Sequence, residues 1–206
     1  IKAATISGQP YFDQSAAAAD LEQYSFPLYF LDFETIQYAI PRWAGTKPYQ
    51  QIPFQFSLHR LDSNSSWGHS EFLDLSGSDP TRSFAEKLVE GCGSEGAIFV
   101  YYASFETARI RELSERFEDL SPRLMALVER IVDLLPIAKK HFYHPSQHGS
   151  WSINYVLPAI CPDLEDAYQN LVGVQNGTMA MDAYVAATEF EDIDPAKAEI
   201  AKQLKA

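Results

Sequence analysis

Cysteine is scarce in this chain of 206 residues, which contains only Cys92 and Cys161. The two cysteines form no CxxC pair, so the sequence indicates neither a disulfide framework nor a cysteine-based zinc site. This usage favours a reduced, cytoplasmic setting. No apolar run approaches the roughly 20 residues that a membrane span needs, and no signal peptide is recognisable. We therefore expect a globular protein without a membrane partner.

Basic residues are also in short supply. The chain has 16 Lys and Arg against 28 Asp and Glu, which gives a net charge of -12. Proteins that coat nucleic acid are usually basic, because phosphate neutralisation drives their affinity. The acidic balance argues against such a protein. It is compatible with an enzyme whose carboxylates collect metal ions, since bound cations reverse the local field.

The residue pattern predicts a mixed α/β fold in which the first three strands form an antiparallel meander. Residues 1–24 are predicted to be an arm or short helix, and residues 25–206 one domain. The predicted strands span residues 28–31, 52–61, 67–73, 97–102 and 131–132. The predicted helices span residues 80–90 (stopped by Gly91), 105–117 (capped by Ser104), a segment starting at 121, and 152–160, 177–188 and 195–206.

Two acids close the first predicted strand in the segment Asp32-Phe33-Glu34. Strand side chains alternate, so Asp32 and Glu34 are expected on one face, about 7 Å apart, with Phe33 on the other. Such a pair can share a hard cation, and the proximity of like charges is costly without one. The alternative interpretation is a polar strand end that faces water.

A third acid, Glu106, follows the strand predicted at residues 97–102 and lies in the first turn of the next predicted helix. An acid at this position interacts favourably with the helix dipole, which is a purely structural explanation. A central strand could also deliver Glu106 beside Asp32 and Glu34. The two interpretations are compatible.

The order Asp32-Phe33-Glu34-Thr35 and then Tyr102-Ala103-Ser104-Phe105-Glu106 resembles the first two sequence blocks of DEDD 3′–5′ exonucleases. Those enzymes have a ribonuclease-H-like fold, a mixed sheet with antiparallel first three strands flanked by helices. More closely, the chain resembles a bacterial family of unknown function whose members often sit beside RecB-like nuclease modules. That resemblance runs from Leu28 to about Ala206. It includes the segments 48–57, 132–135 and 149–158.

The resemblance implies a metal-dependent 3′–5′ exonuclease that acts on single-stranded DNA or RNA with two Mg²⁺ or Mn²⁺ ions. Asp32 would bridge the ions, and Glu34 and Glu106 would complete their coordination. Asp133 looks like a residue that orients a ligand or caps a helix. The implied partners are nucleic acid and other domains of a longer protein, including a RecB-like nuclease module.

The chain departs from the exonuclease pattern at three points. Tyr102 stands where asparagine is usual, Glu106 replaces an aspartate, and the third block, a Tyr or His followed by an Asp, is not evident. A fourth carboxylate is expected beyond Ala206, with Asp182 as the substitute metal ligand. These departures keep open a non-catalytic, nucleic-acid- or protein-binding module within a larger nuclease.

Two further groups of residues carry alternatives. His141, His144 and His148 could support a structural zinc ion, although Pro145 interrupts them and no cysteine joins them. Among the three tryptophans, Trp43 follows the acid pair in a polar loop and is the preferred candidate for stacking on bases.

Overall fold

The computed structural model describes residues 1–162, 177–189 and 194–205. The strands are β1 (Tyr11–Phe12), β2 (Leu28–Ile36), β3 (Ile52–Leu61), β4 (Trp67–Leu73), β5 (Ile98–Val100), β6 (Ile131–Asp133) and β7 (Phe142–Tyr143). The α-helices are α1 (Lys2–Ser7), α2 (Gln14–Glu22), α3 (Thr81–Cys92), α4 (Ser104–Arg116), α5 (Ser121–Arg130), α6 (Leu134–His141), α7 (Ile153–Ile160), α8 (Gly177–Glu189) and α9 (Pro195–Lys205). No helix within these ranges is long and apolar enough to cross a membrane.

Five strands form one mixed sheet in the order β4-β3-β2-β5-β6. Strands β2, β3 and β4 pair antiparallel, whereas β5 runs parallel to β2 and β6 runs parallel to β5. Only β3 therefore runs against the other four. The predicted mixed α/β class and the antiparallel meander of the first three strands are confirmed.

The β2–β3 register decides which side chains share a face. Asp32 lies opposite Ser57 and Glu34 opposite Gln55, whereas Phe33 lies opposite Phe56. Because side chains alternate along a strand, the acids and the phenylalanines point to opposite sides of the sheet. We call the side with the acids the polar face.

The main core fills the other side of the sheet, beneath α3, α4 and α5. Strand residues such as Phe33 and Leu58 pack there against Phe84, Ile110 and Leu124, all almost fully buried. A second cluster joins the ends of β2 and β3 to α8 and α9, with ring centroids of Phe54 and Tyr184 4.2 Å apart. Helix–sheet packing thus leaves the polar face as the less covered side.

A tight turn before β5 holds that strand against β2. Gly96 has φ +87°, and a Cβ there would lie 1.8 Å from the Pro27 carbonyl oxygen, so only glycine fits. The guanidinium of Arg130 donates hydrogen bonds to four carbonyl oxygens of the turn, at residues 92, 93, 95 and 96. These contacts fix the entry into the central part of the sheet.

Several predicted boundaries were wrong, among them the end of β2, which was predicted at residue 31 and lies at Ile36. Helix α3 continues through Gly91 to Cys92. A Cβ at position 91 would lie 3.0 Å from the Leu58 side chain, so this glycine permits close packing against β3 and does not end the helix. Ser104 is the first residue of α4 and does not cap it. Strand β5 stops at Val100, and Tyr102 beyond it adopts φ +71°.

Residues before β2 form two helices and a short strand. Strand β1 pairs antiparallel with β7. On α2, the Asp20 carboxylate lies 2.7 Å from both Lys140 Nζ and His141 Nε2. Sequence reasoning did not predict α6, which carries Lys140 and His141, or β7, which pairs with β1.

Candidate functional site

A cleft of about 580 Å³ opens on the polar face of the sheet. Its walls come from α8 and α9, which contribute Gly177 and Lys205, and from α7, which contributes Asn154. The sheet residues that line it include Phe30, Asp32, Glu34, Gln55, Ser57, His59 and Phe99. The alternation of β2 and β3 therefore places a row of polar side chains on the floor of a concave site, the usual form of a ligand pocket.

Asp32 lies on the floor of this cleft, near the carboxyl end of β5. It is exposed to solvent, whereas its neighbours Leu31 and Phe33 are buried. Desolvation by the surrounding protein raises the pKa of Asp32, and a hydrogen bond from the Phe33 backbone N–H opposes that shift. The carboxyl group is thus accessible but incompletely stabilised as an anion.

Glu34 shares the polar face with Asp32 and is half-buried. Burial raises its pKa to about 7, and repulsion from the Asp32 carboxylate adds to the effect. Helix α8 begins close to the Glu34 carboxyl group: a Cβ on Gly177 would lie 3.4 Å from Glu34 Oε2. The cleft therefore holds a second acid that is partly protonated at neutral pH.

Glu106 lies in the first turn of α4, is only 3% exposed, and is not among the residues that line the cleft. Burial raises its pKa to about 7, its own backbone N–H opposes the shift, and the charges of Asp32 and Asp133 contribute to it. Its Oε2 has no hydrogen-bond partner within the described ranges. A buried acceptor without a partner is costly, so this oxygen is suited to a ligand that supplies positive charge.

Asp133 ends β6 and organises the backbone that leads to Glu106. Its carboxylate accepts hydrogen bonds from the N–H groups of Tyr102 at 3.0 Å, Ala103 at 3.1 Å and Leu135 at 2.9 Å. The expectation that Asp133 caps a helix is confirmed, since Leu135 lies in the first turn of α6. Its oxygens are occupied by these donors.

The charge of Asp32 contributes to the raised pKa of both glutamates, Glu34 on the same strand and Glu106 on α4. Carboxylate oxygens are the ligands that Mg²⁺ and Mn²⁺ prefer, and a divalent cation would relieve the repulsion among these acids. The donor types therefore fit such an ion. Within residues 1–162, 177–189 and 194–205, however, no three His, Cys, Asp or Glu are gathered into a ready metal-binding group.

Asp182 is not brought to this site. It is exposed on α8, and the buried face of that helix carries Ala180, Tyr184 and Ala187 instead. It is also not among the residues that line the cleft. The substitute metal ligand considered from the sequence thus lies outside the arrangement of Asp32, Glu34 and Glu106.

Two of the three histidines considered for zinc, His141 and His144, make side-chain contacts within the fold. Buried His141 hydrogen-bonds with Asp20, and His144 Nδ1 accepts the backbone N–H of Ser146 to cap a short 3₁₀ helix. These contacts provide a structural explanation for residues that sequence spacing alone left open.

Trp43 donates its indole N–H to the Gly77 carbonyl and packs edge-on against Tyr38, so its ring is engaged with the second core cluster. Sequence reasoning instead missed Phe30 and His59, which line the acidic cleft. The signal was present: Phe30 precedes Asp32 by two residues in an alternating strand, and His59 belongs to the polar side of β3.

Comparison with curated proteins and with solved structures gave no match. A family model described as Domain of unknown function (DUF2779) matches residues 29–152, more than half of the chain. The matched region contains Asp32, Glu34, Glu106 and Asp133, and it ends before Asp182. By this match, the chain belongs to the DUF2779 family.

Proposed function

We propose that this chain is a ribonuclease-H-like, metal-dependent nuclease, a 3′–5′ exonuclease that hydrolyses phosphodiester bonds at single-stranded DNA or RNA ends. One observation carries the proposal. Solvent-accessible Asp32 lies on the floor of a cleft and interacts with two glutamates, Glu34 and Glu106, whose pKa values are raised to about 7. Carboxyl groups with strongly perturbed pKa values in a cleft are typical of functional sites.

The sheet topology supports the fold part of the proposal. An antiparallel meander of three strands is followed by two parallel strands, and helices flank the sheet. This is the arrangement expected of a ribonuclease-H-like domain. The acids lie towards the carboxyl ends of β5 and β6, where open α/β sheets usually bind their ligands.

The site residues fit a role in holding divalent cations. When bound, such ions lower the pKa of an attacking water and stabilise the leaving oxygen of the phosphodiester. Asp32 offers accessible oxygens on the cleft floor, and Glu106 offers an oxygen without a partner. Glu34 and Glu106 would hold such an ion in their ionised form, since a carboxylate must be ionised to bind a metal.

Mn²⁺ titration and a cleavage assay together test the proposal. The wild-type chain is expected to bind Mn²⁺ in calorimetry at pH 7.5 and to shorten a 5′-labelled single-stranded oligonucleotide from its 3′ end. Asp32→Ala should lose both properties while remaining folded, because it removes a charge that other acids repel. Asp182→Ala is the matched control and should keep both. Equal Mn²⁺ affinity in Asp32→Ala would overturn the metal assignment.

A second function is favoured by a specific observation, the lack of a preformed three-acid metal group in the described part of the chain. In this case the domain is a non-catalytic module that binds nucleic acid or protein within a larger nuclease. This alternative predicts that the wild-type chain neither binds Mn²⁺ nor cleaves the oligonucleotide. Retained binding of an oligonucleotide under those conditions would identify the nucleic-acid-binding form of this alternative.

A further inference from the structure

Five aromatic side chains lie beside one another on the polar face. Strand pairing places Phe99, Phe30, His59 and His69 in one row that crosses β5, β2, β3 and β4. Trp67 lies at the beginning of β4, two residues before His69 on the same face, and its ring packs against Phe30. We call these five rings the aromatic shelf.

Three pairs of rings in the aromatic shelf are in contact, two of them stacked and one tilted. The centroids of Phe30 and Phe99 are 5.4 Å apart with their planes inclined by 25°. Phe30 and Trp67 are 5.7 Å apart at 35°, and His59 and His69 are 4.4 Å apart at 29°. Offset stacking of this kind holds the rings in place before any ligand binds.

The outer part of the aromatic shelf faces solvent. Trp67 is 62% exposed, although an indole ring is among the side chains that gain most from burial. His59 and His69 are exposed as well, whereas Phe99 lies buried at the inner end. Partial desolvation by the surrounding protein and the neighbouring His69 lower the pKa of His59, which favours its uncharged ring.

The aromatic shelf is continuous with the acids. Phe30, His59 and Phe99 line the same cleft as Asp32. Phe30 precedes Asp32 by two residues on the same face, which is about 7 Å along the strand. His69 Nε2 lies 3.1 Å from the hydroxyl of Ser57, the residue opposite Asp32. A ligand that has one group beside Asp32 can therefore lay a neighbouring flat group on the rings.

We propose that the aromatic shelf binds unpaired bases of a single-stranded nucleic acid whose backbone passes beside Asp32. This proposal rests on the proposed function in one respect, because the proposed nuclease site is what places the nucleic-acid backbone beside Asp32. Every base has a flat face that stacks on an aromatic ring, and base pairing in a duplex leaves those faces covered. Lys205 also lines the cleft, where its ammonium group is paired with the Glu71 carboxylate at 2.6 Å, so the shelf is expected to bind through its rings.

Binding is measured without metal, so that cleavage cannot interfere. The wild-type chain in EDTA at low salt is titrated against fluorescein-labelled oligothymidylate and oligouridylate, which separate DNA from RNA, and against a duplex of equal length. Anisotropy reports the affinity. Trp67→Ala should weaken single-strand binding about tenfold, within the range of base–aromatic stacking energies. Trp67→Phe retains a ring and should restore most of it.

Tyr11→Ala is the matched control, because Tyr11 is 46% exposed on the two-stranded sheet instead of the polar face. Thermal melts establish that each variant is folded. Loss in Trp67→Ala alone supports the proposal. Equal affinity of wild type and Trp67→Ala, no single-strand binding at all, or equal binding of the duplex overturns it. The anisotropy experiment contains no metal, so its result does not depend on the Mn²⁺ titration. The base-binding proposal and the nuclease proposal can therefore fail independently.

Discussion

The carboxylate of Asp133 accepts the backbone N–H of Tyr102, a non-glycine residue with φ +71°. This bond joins the end of β6 to the turn that follows β5. Left-handed backbone geometry is unfavourable for a tyrosine and persists where surrounding contacts enforce it. The same carboxylate also holds Ala103, which immediately precedes α4 and its buried Glu106. Asp133 thus fixes the backbone that leads to Glu106.

Asp133→Ala is expected to lower the free energy of unfolding by about 1–3 kcal/mol, because three N–H groups lose their acceptor. Asp133→Asn keeps an acceptor oxygen and should lose less. Urea unfolding at pH 7 measures both. Asp182→Ala, an exposed helical aspartate, controls for the loss of a carboxylate. A change no larger than that of the control would contradict the capping role.

Gly96→Ala tests the turn before β5. The added methyl group would overlap the Pro27 carbonyl, so we expect a loss of stability greater than about 3 kcal/mol or a failure to fold. Gly8→Ala is a matched control, since Gly8 also has a positive φ but no atom within 4 Å of its Cβ position. It should cost only about 1 kcal/mol. Similar losses for the two variants would mean that φ, and not the steric overlap, limits position 96.

Arg130→Lys keeps the positive charge but cannot reproduce the guanidinium contacts with four carbonyl oxygens. We expect a loss of about 2 kcal/mol in urea unfolding, together with faster hydrogen exchange at residues 92–96. Arg123→Lys, at an exposed position of the same helix, is the control. An unchanged exchange rate in the turn would argue against this anchoring role.

Glu106 predicts a specific pH dependence of stability. Its pKa is about 7 in the folded chain, above the ordinary value of 4.5, so between these values the folded state keeps a proton that the unfolded state has lost. Stability therefore falls as pH rises through this window and levels off above about pH 7. In EDTA at pH 8, Glu106→Gln should exceed the wild type in stability by up to about 3 kcal/mol.

Urea unfolding at several pH values between 5 and 8 measures this difference. The gap between Glu106→Gln and the wild type should shrink towards pH 5, where the wild-type carboxyl group is protonated. Glu129→Gln, at an exposed position on α5, should run parallel to the wild type throughout. A constant gap between Glu106→Gln and the wild type would show that Glu106 does not titrate in this range.

Local sequence patterns were enough to predict that two strands carry the site, although the run that predicted β2 ended at residue 31 and the strand extends to Ile36. The alternation in β3 separated Phe56 from Ser57, and the Asp-x-Glu spacing placed Asp32 and Glu34 on one face. Both inferences use only the two-residue repeat of a strand, which is local. The walls of the cleft could not be inferred in this way, because Gly177 and Lys205 come from segments far along the chain.

Helix α6 escaped prediction for a local reason. Pro136 suggests an interruption, yet it occupies the first turn of α6, where its missing N–H has no helical acceptor to lose. The placement of Trp67 was equally hard to predict, since the sequence offered all three tryptophans as stacking candidates and favoured Trp43. Its exposure and its contact with Phe30 depend on the β2–β3–β4 registers, which are set by long-range pairing.

The pairing of β1 with β7 has a practical consequence for anyone who shortens the chain. Deleting the first 24 residues would uncover Phe142, whose ring packs edge-on against Phe12, and would remove the carboxylate that buried His141 contacts. A fragment trimmed to begin at β2 would expose apolar surface and lose this polar partner. Expression boundaries chosen upstream of β1 would keep that surface covered.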